Sequence, residues 1–174
     1  AITSRSHPMR KILLSTLVCI TVLIASGSAA TKSIVEYFLA IPHQTFTEGS
    51  PDELLAIIKR GESGSFIDSK NGFMRLTGDG AQVSLQIALF RYDDKSPLLA
   101  VAWGELEQPD FTHLTFFHEK DGKMVVADRT ILPVADSTKH RFELPRHGRT
   151  VTVRDAKSTV LSKWAWDGKH FQKE

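Results

Sequence analysis

The densest grouping of chemistry-bearing side chains is Pro145-Arg146-His147-Gly148-Arg149-Thr150, with Arg141 and Arg154 a few residues to either side. Two guanidinium groups and an imidazole around a glycine suit an oxyanion. The guanidinium fork matches a carboxylate or phosphate, and a turn of this kind exposes backbone N–H groups that point the same way. If the stretch is a hairpin loop, its flanking strands bring Arg141 and Arg154 alongside. Arg141, Arg146, His147, Arg149 and Arg154 are therefore the candidate ligand- or partner-binding residues. The plainer reading of the same residues is a solvated hairpin tip whose Gly148 takes a positive φ.

A second grouping is acidic. Glu105 and Glu107 share a face if the chain is extended there, and Asp110 follows closely. Paired carboxylates with a histidine such as His118 are the minimum for general acid–base hydrolysis. The plainer reading is an acidic loop containing Pro109 that stays wet. His113 and His118 are five residues apart, an odd separation, so a strand sends them to opposite faces and not to one metal. Gly-x-Ser-x-Gly is absent, and no glycine-rich segment follows a phosphate-loop pattern. The chain has one cysteine, Cys19. No metal site and no cofactor is expected.

Cys19 lies in a segment with its own logic. Met9-Arg10-Lys11 is followed by an almost continuous apolar run from Ile12 to Ala25, then by small residues to Ala30. This is the order of a secretory signal peptide. The run is shorter than the ~20 residues that a membrane-spanning helix needs. Val18 before Cys19 does not suit lipidation. The expected organisation is residues 1–8 as an extension or leader artefact, 9–30 as a signal peptide cleaved near Ala29 or Ala30, and 31–174 as one soluble domain. The expected location is the periplasm or the extracellular space, with no stable membrane insertion after cleavage.

Removing that segment changes the charge. The whole chain carries a formal +2, whereas residues 31–174 hold 19 Lys plus Arg against 20 Asp plus Glu. Residues 31–138 have 10 basic and 16 acidic side chains, and residues 139–174 have 9 basic and 4 acidic. A near-neutral total argues against nucleic acid as a partner. The basic end suits an unknown protein or a small anionic ligand, or the acidic part of a second copy in a homo-oligomer.

The elements that must position these residues are legible in part. Ser33-Ile-Val-Glu36 and Ser50-Pro51-Asp52-Glu53 are capping-box patterns, each opening an apolar stripe: Ile34, Val35, Phe38 and Leu39, then Leu54, Leu55, Ile57 and Ile58. Pro51 suits the first helical position, and Gly61 suits a helix stop. After Gly64 the period changes to two. Strands are expected at 73–77, 82–92, 98–103, 113–118, 124–128, 141–144, 150–154 and 160–166, with Lys169 to Phe171 returning. The segment 130–133 extends or ends the fifth strand's unit. Asp121-Gly122 is a hairpin signal, and Asp93 to Pro97 and Asp167-Gly168 read as turns. Connections this short exclude parallel crossovers. The expected fold class is α+β, with two N-terminal helices packed on a mainly antiparallel, curved sheet of about six to eight strands. Trp103, Trp164 and Trp166 are read as core. The expected function is an exported, non-enzymatic binding or interaction domain using loop 145–150. The alternative is a small cell-envelope hydrolase using a carboxylate and histidine cleft.

Overall fold

Both helices begin where their side chains can satisfy the free N–H groups of a first turn. In α1 (Ile34–Leu39), the Ser33 hydroxyl accepts from the Glu36 N–H at 3.3 Å, and the Glu36 carboxylate accepts from the Ser33 N–H at 2.7 Å. In α2 (Pro51–Arg60), Ser50 and Glu53 repeat this reciprocal pair at 3.3 and 2.8 Å. Gly61 ends α2 in the left-handed region at φ +69°. The buried residues are Ile34, Tyr37 and Phe38 of α1 and Pro51, Leu54, Leu55 and Ile58 of α2.

The structure, a computed structural model, describes residues 32–46, 49–61, 64–77, 84–105, 108–134 and 139–174, with the backbone alone at 105 and 108–111. The segment read as a signal peptide, residues 9–30, and the extension before it lie outside the described residues. So does Glu107. Among the described residues, no helix is long and apolar enough to cross a membrane.

Ten strands follow the helices. β1 (Phe66–Asp68), β2 (Phe73–Leu76), β3 (Leu85–Arg91), β4 (Pro97–Glu105), β5 (Gln108–Lys120) and β6 (Lys123–Val126) form one sheet in chain order. β7 (Arg141–Glu143), β8 (Thr150–Arg154), β9 (Val160–Trp166) and β10 (Phe171–Lys173) form a second. Every neighbouring pair is antiparallel. The α+β class and the antiparallel pairing stand. The layout is a correction: two sheets of six and four strands replace one curved sheet of six to eight.

The physical reason lies in the second face of the central strands. One face of the larger sheet presents Met74, Leu76, Leu85, Ile87, Leu99, Val101 and Phe117 to the helices. The opposite face presents Phe73, Ala88, Phe90, Leu98, Ala100, Ala102 and Phe116, packed with Leu144, Val151, Trp166 and Phe171 of the smaller sheet or its approach. A sheet with only one covered face should be polar on the other. Here both faces are apolar, so a second layer is required.

The two sheets are also joined by directed bonds. The Trp166 indole N–H donates to the Arg91 carbonyl at 2.8 Å, and the Asp93 N–H donates to the Gly168 carbonyl at 3.1 Å. Gly168 has φ +107°, and a Cβ there would overlap the Asp93 carboxylate. That position requires glycine on both counts.

Several local expectations are corrected. The acidic stretch 105–110 is not an open loop: β4 runs to Glu105, β5 starts at Gln108, and the two residues face each other across a hairpin. β1 is an additional strand, its short length giving no periodicity to read. Of the two readings for 130–133, the segment ends the strand unit: residues 129–131 form a 3₁₀ turn, with the Asp128 carboxylate accepting from the Thr130 N–H. The last turn covers Asp167 to His170, so the final strand starts at Phe171 and not at Lys169. Asp121-Gly122 forms the tight hairpin turn, with φ +52° and +77°.

Candidate functional site

The basic loop joins β7 to β8, and its base is anchored to the larger sheet. The Leu144 N–H donates to the Gln86 side-chain oxygen at 2.9 Å in a buried position. Arg146 donates from Nε to the Asp68 carboxylate at 2.7 Å, and its guanidinium lies 4.8 Å from the centre of the Phe66 ring. At the other end, the Trp166 N–H donates to the Arg149 carbonyl at 2.9 Å. Gly148 sits between at φ +81°, with nothing near the place of its missing Cβ. The glycine serves the backbone conformation, and the tip is open to solvent.

The five predicted residues divide by what they touch. Arg146 is committed to Asp68, whose carboxyl is held down to about 2, first by Asn71 and then by Arg146. Arg154 pairs with Glu143 at 2.9 Å and also donates to the Ser158 carbonyl. Arg141 lies opposite Arg154 across β7 and β8 and is half-buried with partners of its own. His147 and Arg149 are exposed, and among the described residues neither side chain has an ionic partner. The loop therefore brings together a fixed Arg146 and two uncommitted groups. It does not gather all five on one ligand.

An open groove of about 520 Å³ adjoins the loop. Phe66, Arg75, Gln86, Arg146, His147 and Thr150 are among the residues that line it. Sequence reasoning missed Arg75 and Gln86. The usable signal was one charged and one amide side chain set inside the apolar runs Phe73–Leu76 and Leu85–Phe90. A polar residue in a strand covered on both faces needs a specific partner.

A second cavity of about 440 Å³ lies beside β5 where β6 ends, with Trp103, His113, Leu114, Phe116, Leu132 and Phe142 in its walls. The Trp103 and His113 rings are stacked, with centroids 5.5 Å apart. His113 aligns with Trp103 and His118 with Leu98, on alternate faces of β5. Trp166 belongs to the core, and Trp103 and Trp164 pack against it.

The carboxylate and histidine pairing is not assembled by the described residues. Glu105 faces Gln108, and His118 lies ten residues further along the same strand. At the usual strand rise that is roughly 33 Å. Among the described residues, no three metal-ligating side chains converge.

No protein-family profile matches the chain, and no curated protein matches it in sequence. Among solved structures, it resembles a domain of an uncharacterized protein from Porphyromonas gingivalis W83. That match has 14% identity and a TM-score of 0.54, and it covers 81% of this chain and 97% of the other. The likeness concerns the fold alone.

Proposed function

We propose that this chain is an exported, non-enzymatic binding domain that takes an anionic partner at the β7–β8 loop. The observation that carries the reading is an anchored loop with an uncommitted basic tip. Leu144 and Arg146 tie the loop's base to β3 and β1, while His147 and Arg149 stand exposed beyond it. A prepositioned cationic tip binds an anion with little further ordering of the chain. The net positive charge of residues 139–174 favours the same kind of partner. Export is supported by the segment Met9 to Ala30. Among the described residues, Gln108, which pairs with Glu105, and His118 stand ten positions apart on β5, which lends the hydrolase alternative no support.

The test is binding of a polyglutamate probe to the full chain at several salt concentrations. The combined His147→Ala and Arg149→Ala variant is expected to weaken binding about tenfold, with an unchanged thermal midpoint, because exposed residues contribute little to folding. Binding that this variant leaves intact would sink the reading.

A further inference from the structure

We propose that the groove at the seam of the two sheets holds a small molecule by an oxyanion group, carboxylate or phosphate, on Arg75. The inference rests on the reading of this chain as an anion-binding domain. It moves the recognising cation from the loop to β2, the strand beside the β1 edge of the larger sheet.

Register places Arg75 between two aligned neighbours. Phe66 of β1 and Gln86 of β3 are its Cα partners, so all three share the face turned toward the smaller sheet. Gln86 is 6% exposed, and its side-chain oxygen is occupied by the Leu144 N–H. Arg75 is half-buried, and its Nε is enclosed with no hydrogen-bond partner. A guanidinium has five donors and no acceptor of its own. Arg146 and Arg154 each have a carboxylate, whereas the Arg75 side chain has neither ion pair nor hydrogen bond among the described residues.

The acid that lines the groove does not answer this need, since Glu143 is held by Arg154. Asp68, outside the lining, is held by Asn71 and Arg146. An enclosed donor without an acceptor costs stability, and the same partial burial strengthens its attraction for an incoming anion. The rest of the lining is consistent with a small organic anion. Phe66 and Phe73 offer apolar wall for the body of the molecule, and the Thr150 hydroxyl and His147 are further polar groups beside the groove. Arg146, fixed over Phe66, forms part of the rim and does not supply the primary contact.

The experiment titrates the full chain, labelled with ¹⁵N, with inorganic phosphate and separately with benzoate, reading affinity by calorimetry and the Arg75 Nε–H signal by NMR. The expected result is saturable binding of at least one probe with Arg75 Nε–H among the resonances that move. The stronger probe identifies the oxyanion class. Arg75→Met is expected to weaken binding about tenfold or more. Its unliganded thermal midpoint should hold or rise, because an unpaired buried donor is removed. Lys157→Ala, at an exposed lysine outside the groove lining, should change affinity by less than about threefold. If neither probe saturates, or Arg75→Met leaves affinity unchanged, the proposal is overturned. Should Arg75→Met fail to fold, Arg75→Lys decides, since it keeps the charge and loses the fork. Weaker binding then supports the proposal, and unchanged affinity overturns it. Loop-dependent polyglutamate binding alongside Arg75-independent phosphate or benzoate binding removes this inference alone. The reverse pattern removes the loop reading alone.

Discussion

Asp68 carries more of the site's geometry than its place in a three-residue strand suggests. Its carboxylate accepts from the Asn71 N–H and side-chain amide, which shapes the turn into β2, and from Arg146, which reaches it from the other sheet. These bonds lower its pKa from 3.8 to about 2. The sign follows directly. A carboxylate with a depressed folded pKa favours the folded state above 3.8, and that contribution is lost as pH falls toward 2. Asp68→Asn should therefore unfold more readily than the parent at neutral pH in a urea titration, with the gap closing between pH 3.8 and about 2. Arg146→Ala should raise the Asp68 midpoint in a carboxyl-resolved NMR titration. An unmoved midpoint would show that Asn71 alone sets it. A change at Arg146 thus tests the scaffold of the loop, whereas His147 and Arg149 test its tip.

At the scale of elements, caps and turns set where chain segments start and stop. Ser50→Ala removes the hydroxyl that accepts from the Glu53 N–H and should cost about 1 kcal/mol by chemical denaturation. Gly168→Ala introduces a Cβ against Asp93 at a backbone conformation unfavourable to L side chains. It should cost about 1–3 kcal/mol and lower the thermal midpoint by several degrees. The capping boxes and the Asp-Gly hairpin were legible because their chemistry is local, each bond closing within a few residues. β1 was not legible, because Phe66–Asp68 is too short for alternation and depends on pairing with β2. The hairpin at 105–108 was hidden for a related reason. Glu105, Glu107, Pro109 and Asp110 suggest a loop, whereas the pairing of Glu105 with Gln108 extends the strands into that stretch.

For the molecule as a whole, the decisive feature is a sheet covered on both sides. Ala88, Ala100 and Ala102 keep one face shallow, and larger residues of the second sheet and its approach fill the space. Ala100→Leu should cost about 1–3 kcal/mol through overpacking, measurable by denaturant titration. The same layering makes the groove: Arg75 and Gln86 come from one sheet, and Leu144 and Arg146 of the β7–β8 loop and Thr150 of β8 come from the other. The salt sensitivity expected of anion binding belongs to this scale too. The positive charge of residues 139–174 lies in the second sheet and its connections, above a larger sheet whose own segment is net negative.

By itself, the amino-acid sequence determined the two capped helices, the antiparallel connections, most strand positions and the basic composition of loop 145–150. All of these depend on bonds or periodicities spanning a few residues. Only the tertiary structure decided that the strands part into two sheets, that Arg146 and Arg154 are already paired, and that Arg75 stands without an acceptor beside the loop. The alanines of β3 and β4 held a sign of the second layer, since small apolar residues opposite large ones imply cover on both faces. Which carboxylate meets which arginine is different in kind. Asp68 and Arg146 are 78 residues apart, and their meeting follows from sheet packing, which no local pattern encodes.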